Sequence, residues 1–414
     1  MRALVRTAVA AALVGAAAAG CTGSDPGTAA PGDRVSTERP ADRQADLDRQ
    51  LLAAAWDDDV PRAERLIARG ADVNAKDDSE QNAYLVATSE GHYELLELTL
   101  RHGADVNARD SFDGTGIIRA AERGHWRVVG RLVREGVPVD HVNNLGWTGL
   151  HEAIILGKDT EAYRDTVRVL VAAGADVGLP PARDGIPPAR HADTRGFAAV
   201  ARLLRAASPV SPGDRSAADR RLLAAAAAGN ADEAALALRA GARTEVRDGQ
   251  RRTPLLLAAA GDHLDVARLL VALGADPDAL DARHDTPWLV TGVTGSVAMG
   301  QVLLPAHPDL TIRNRFGGVS VIPASERGHV DYVRWVVGGT DIDVDHVNDL
   351  GWTALLEAVI LGDGGPVHTQ IVRLLVEAGA NVNLADRDGV TPLAHAKRSR
   401  YAAMVRILEA RGAR

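Results

Sequence analysis

The chain has a single cysteine in 414 residues, so no disulfide links one part of it to another, and neither a Cys/His metal cluster nor a cysteine nucleophile is present. Aromatic residues make up only 3% of the composition although 46% is apolar. That apolar content is mostly Ala, Leu and Val, which suits thin layers of small-residue helices better than one bulky core. No basic stripe offsets the formal charge of -8, and the two signs are interspersed, so no nucleic acid is expected as a partner. Beyond the first twenty residues no segment approaches the roughly 20 apolar residues that span a bilayer.

Catalytic motifs are also missing. There are thirteen histidines but no H-E-x-x-H: His151-Glu152 lacks the second His. Gly362-Asp363-Gly364-Gly365-Pro366 has no following Lys-Ser/Thr and no preceding strand to make a phosphate cradle, and no G-x-S-x-G elbow occurs. The sequence therefore predicts no enzyme, no metal site and no cofactor.

The N-terminus carries a targeting pattern. Arg2 and Arg6 give a positive start, Ala8 to Ala19 form a short apolar stretch, and the segment ends at Ala18-Ala19-Gly20-Cys21. This ending resembles a bacterial lipobox, whose Cys is lipidated and becomes the first mature residue; Ala18 stands where the pattern prefers Leu. The resemblance implies a signal peptide over 1–20, a lipid anchor at Cys21, and a protein facing outside the cytoplasm on the cytoplasmic membrane of the cell envelope. A cleaved soluble precursor and an uncleaved anchor are the alternatives. Residues 21–44, rich in Pro, Gly, Asp, Thr and Ser, read as a disordered tether with a reach of roughly 25–30 Å.

The length allows two or three domains or one long array, and a recurring phrase decides for the array. Gly-Ala-Asp-Val-Asn stands at 70–74 and 103–107 and recurs in altered form at 174–177, 241–244, 274–278 and 379–383, each time after a Leu/Val-rich helical pattern. A second phrase opens the next helix: Thr253-Pro254-Leu255, Thr286-Pro287-Trp288, Thr391-Pro392-Leu393 and Gly146-Trp147-Thr148-Gly149-Leu150-His151-Glu152-Ala153. Thr caps the helix, Pro sits in the first turn where its missing N–H costs nothing, and Gly ends the second helix with positive φ. Together the phrases resemble the ankyrin repeat. The resemblance implies an all-α solenoid of about eleven helix-turn-helix units with short β-hairpin fingers, from about residue 46 to 414, and a partner docked on the concave side of fingers and first helices. In that family His at the positions of His92, His125, His329 and His151 holds hydrogen bonds between units.

The array is itself duplicated. Asp140-His141-Val142-Asn143-Asn144-Leu145-Gly146-Trp147 recurs as Asp345-His346-Val347-Asn348-Asp349-Leu350-Gly351-Trp352, an offset of 345 − 140 = 205. Two halves follow, 45–208 and 216–414, separated by a Pro-rich join at 209–215. The second half holds one extra unit, around Arg252 to His284. The spacing is compatible with continuous stacking across the join and with a bend there.

Residues that depart from the repeat are the candidate binding residues. Trp147 and Trp352 precede the capping Thr at a variable position; each is either a binding anchor or a cover for the apolar edge of the next unit. Glu152 and Glu357 sit at a variable position of the following helix, and Asn143, Asn144, Asn348 and Asp349 lie on the same fingers. Asp72, Asn74, Asp105, Asn107 and Asn383 read as turn formers. Between their two helices the units containing Trp147 and Trp352 carry five residues more than the repeat needs, at Lys158–Tyr163 and Asp363–His368, read as loops that join the Trp finger in a paired recognition surface. The expected function is a non-enzymatic protein-interaction scaffold. Two alternatives stand beside it: binding of a small ligand or cell-wall glycan at the join, and, by resemblance to exported ankyrin proteins, support of an exported enzyme as in peroxide defence.

Overall fold

The computed structural model describes residues 40–182 and 184–414; Cys21, the signal segment and the tether up to residue 39 lie outside them. Among the described residues there are twenty-two α-helices and one 3-10 turn, Leu304–Ala306. They pair into eleven units, each an inner helix and an outer helix that runs back, and in all but the two opening units the inner helix follows a finger. The caps form as the residue types require. Thr253, Thr286, Thr353 and Thr391 accept the N–H three residues on, and Pro254, Pro287 and Pro392 occupy the first turn. His92, His125, His263 and His329 each bond a carbonyl of the unit before, at Ala55, Ser89, Ala227 and Val293. The two opening units lack the Thr-Pro phrase and instead start with long helices, Pro40–Trp56 and Arg215–Ala228.

Three expectations need correction. Residues 40–44, assigned to the tether, are helical. The fingers contain no β-strand among the described residues; most are tight turns closed by a bond such as Asp110 N–H to Gly114 O at 3.1 Å, and only Arg109 and Thr115 form a β-bridge. The additional residues at 158–163 and 363–368 are not simply loops. Half of each adds about a turn to the outer helix, Glu161–Ala172 or Pro366–Glu377, which reaches 12 residues where the outer helices of units 3 and 7 have 9. Tyr163 and His368 then dock where the repeat His would, on the carbonyls of Glu122 (3.0 Å) and Glu326 (3.1 Å).

The halves do not stack end to end. Inner helices pack in series within each half, but after unit 5 the chain turns at the join and the second half folds back, outer helix against outer helix. The outer helix of unit 4 (Glu161–Ala172) lies on that of unit 6 (Ala231–Arg239). The outer helix of unit 7 (Leu264–Ala272), the extra unit, lies on those of units 3 (Trp126–Arg134) and 4. Gly130 allows the closest approach: a Cβ there would stand 2.5 Å from the Ala272 carbonyl oxygen. Polar contacts lock the layers. Arg168 Nε reaches Asp232 at 2.7 Å, Arg268 Nε reaches Asp165 at 2.7 Å, and Arg239 donates to the carbonyls of Ala175 (2.8 Å) and Val210 (3.1 Å). Across units 3–7 the helices thus form four layers, inner, outer, outer, inner. Both finger-bearing faces point away from the junction.

Candidate functional site

Most fingers are held by one Asx side chain whose Oδ1 accepts the N–H groups two and four residues on; at Asp184 only the N–H two residues on is bonded, because Pro188 has none. Asn143 does this for Leu145 and Trp147, both at 3.0 Å, and Asn348 for Leu350 and Trp352, both at 3.0 Å. The same side chain also reaches the inner helix nine residues ahead. Asn143 Nδ2 donates to Glu152 Oε1 at 2.9 Å, and Asn348 Nδ2 to Glu357 Oε1 at 2.7 Å. The same spacing ties two other fingers to their helices. Asp110 faces Arg119 at 3.2 Å, and Asp386 accepts from His395 at 2.7 Å. An amide stands at 143 and 348 because a second carboxylate facing Glu152 or Glu357 would repel it.

The candidate residues therefore divide. Asn143, Glu152, Asn348 and Glu357 are buried, with Glu152 4% and Glu357 5% exposed, and they hold the fingers to the helices. Burial pushes both carboxyls up to about 7, helped by Glu122 beside the first and Glu326 beside the second, and opposed by the Asn hydrogen bonds. Asn144 and Asp349 are exposed, the Asp349 side chain lying against Gly317, and their N–H groups bond the finger before, at Phe112 O and Phe316 O, both 2.9 Å. Trp147 and Trp352 are half-buried. The additional residues of each unit begin beyond the far end of a seven-residue inner helix about 10 Å long, while the Trp precedes its start.

Sequence reasoning missed the exposed apolar residues on the same faces. Phe112 and Phe316 at the finger tips are 52% and 55% exposed; Val142 and Val347, and Leu156 and Leu361, are exposed too. The signal was available in the duplication, since each pair is separated by 204 or 205 residues. In the second half Phe316, Ile322, Pro323, Leu350 and Leu361 line one hollow of about 440 Å³, with Glu326 and Glu357 among its walls. In the first half Arg119 stands where Pro323 does, between Asp110 and Glu122. No cluster of His, Cys, Asp and Glu able to hold a metal occurs among the described residues.

Comparison with known proteins assigns this architecture. The family model described as ankyrin repeats in three copies matches residues 85–180 and 321–414, and the single ankyrin-repeat model matches 250–282, together just over half of the chain. The chain belongs to the ankyrin-repeat family. It is 44% identical over 113 residues to the putative ankyrin repeat protein YahD of Escherichia coli K12, a match covering 27% of this chain and 56% of that one. Human BCL-6 corepressor-like protein 1 is 33% identical over 91 residues, 22% of this chain and 5% of the relative. The chain therefore spans about half of the first relative and a small part of the second. Among solved structures, an ankyrin repeat domain from Acinetobacter baumannii AYE is 41% identical, with 47% of this chain and 98% of that one covered and a TM-score of 0.45. The ankyrin repeat protein EF0377 is 33% identical, with 46% and 97% covered and a TM-score of 0.45.

Proposed function

We propose that this ankyrin array is a non-enzymatic scaffold that docks a protein partner on its finger-bearing faces, anchored by a lipid on Cys21 outside the cytoplasm. One observation carries the docking surface. Exposed apolar side chains at the fingers and inner helices are kept in both copies, as Phe112 and Phe316, Val142 and Val347, Leu156 and Leu361. Exposed outer-helix residues have changed over the same interval, Glu161 to Pro366 and Ala162 to Val367. Water-facing Phe and Leu add nothing to a solenoid, and their retention at equivalent places fits a surface that is covered in use. The anchor rests on Arg2, Arg6, the apolar stretch and Cys21.

Capture from crosslinked native membranes tests the reading. The Phe112→Ser/Leu156→Ser/Phe316→Ser/Leu361→Ser variant, with unchanged circular dichroism, should lose the enriched partner at least about tenfold, a size expected when central apolar anchors are removed. A partner retained in full would remove the proposed surface. Cys21→Ser should move the protein from the membrane to the soluble fraction; continued sedimentation with membranes would remove the anchor.

A small ligand at the junction is the second reading. A groove of about 760 Å³ between the halves is lined by Tyr93, Arg127, Arg134, Ala275 and His307, and Arg127 buries an Nη2 with no hydrogen-bond partner. Partner capture that is blank with both forms of the protein would favour it.

A further inference from the structure

The two halves solve the same electrostatic problem differently. In the first, Arg119 leaves its inner helix and lies across the hollow, 3.2 Å from Asp110 and 2.9 Å from Glu122, close enough to Glu152 to favour its ionised form. In the second, Pro323 replaces Arg119 and Asn314 replaces Asp110, both at an offset of 204, while Glu326 and Glu357 remain where Glu122 and Glu152 stand. The cation is gone and two of the carboxyls are left. Among the described residues Glu326 makes no ion pair, and the influences on Glu357 are burial, Glu326 and the Asn348 amide, with no basic group among them. Arg283, Arg315 and Arg327 also line the hollow, yet none pairs with either glutamate; Arg315 instead lies 4.4 Å over the Phe316 ring and 3.5 Å from Asp285.

We propose that the second hollow takes a basic side chain of a protein partner, arginine or lysine, in the place that Arg119 fills in the first half. Its charged end lies against Glu326, as Arg119 lies against Glu122, with the Glu357 carboxyl nearby in the same wall, and its methylene stem packs on Ile322, Pro323 and Leu361. The chain supplies its own precedent for the occupant, because at the equivalent place the Arg119 guanidinium lies on Glu122, the counterpart of Glu326. An aliphatic stem with a cationic tip also matches apolar walls above an acidic floor. This site rests on the docking reading above, and it names which residue of the partner enters.

The test titrates the chain with acetyl-Leu-Arg-Leu-amide and with its citrulline counterpart, equal in shape and uncharged. The arginine peptide should bind at least about tenfold more tightly, the size expected of hydrogen bonds between charged groups. Glu326→Gln and Glu357→Gln, each confirmed as folded by circular dichroism, should weaken it by a similar factor. Pro323→Arg, which restores the first half's own cation, should abolish binding. Equal affinity for the two peptides, undiminished binding by the Gln variants, or no binding to the unaltered chain would each overturn the proposal. The two readings fail separately. If arginine peptide binds but no partner is captured from membranes, the site stands and the scaffold reading falls. If a partner is captured equally well by Pro323→Arg, the scaffold stands and the basic-residue site falls.

Discussion

Gly130→Val is expected to lower the thermal midpoint of the chain and to give two unfolding steps where the unaltered chain, with its halves packed together, is expected to show one. The Cβ of the new residue would stand 2.5 Å from the Ala272 carbonyl oxygen and 2.7 Å from the Ala272 Cβ, both on a helix that cannot yield without its whole layer moving. Overpacking of this kind costs about 1–3 kcal/mol. Separating the layers also strains the contacts of Asp165, whose side chain is 2% exposed and faces both Arg168 and Arg268. Breaking buried ion pairs costs about 3–5 kcal/mol. The duplicate supplies the control: the residue equivalent to Gly130 is Arg334, exposed and covered by no second layer. Arg334→Val should change stability by less than about 0.5 kcal/mol. Calorimetry and small-angle scattering read both variants. An unchanged single transition with an unchanged radius of gyration for Gly130→Val would refute the packing of the halves.

The second large effect is on pH dependence. Glu152 and Glu357 are pushed up from 4.5 to about 7 in the folded chain. Below the unfolded value both states hold the proton and the contribution is complete. As the pH rises, the unfolded chain releases it first, so stability falls until the pH has passed through about 7. At about 1.4 kcal/mol for each tenfold change in ionisation constant, each carboxyl costs about 3 kcal/mol when ionised. In Glu152→Gln/Glu357→Gln the amide keeps the bond from Asn143 or Asn348 and never ionises. Relative to the unaltered chain, the variant should gain several kcal/mol of stability between pH 5 and 8.5, measured by urea denaturation. A constant difference across that range would mean that the carboxyls are not held neutral.

Much of the fold was legible because its determinants are local. Thr, Pro and Gly act on their own turn, so Thr391-Pro392 and Gly379 mark helix ends without reference to the rest of the chain. The duplication was legible as a repeated string. The fold-back was not, because it depends on residues that read as ordinary solvent positions: Asp165, Arg168 and Gly130 acquire meaning only when a helix much later in the chain lies on them. The candidate site was half legible. The fingers at Asn143 and Asn348 were found, but their glutamates, expected at a variable and exposed position, are buried ties nine residues away. The exposed Phe112 and Phe316 escaped notice because a finger tip tolerates any residue, so only comparison of the copies could single them out.

An open ankyrin stack can be built one unit at a time, each new helix pair burying the face of the last. The fold-back changes the order of events during synthesis. The first half is complete as a solenoid once Ala207 ends its last helix, yet Gly130 and the outer helices beside it still lack the layer that covers them. Their cover arrives only with residues 231–272, on helices that must themselves be formed before they can dock. The Pro-rich join lies between these two events. For as long as it takes to make the next two units, the nascent chain carries an unfinished apolar surface that its finished form never exposes.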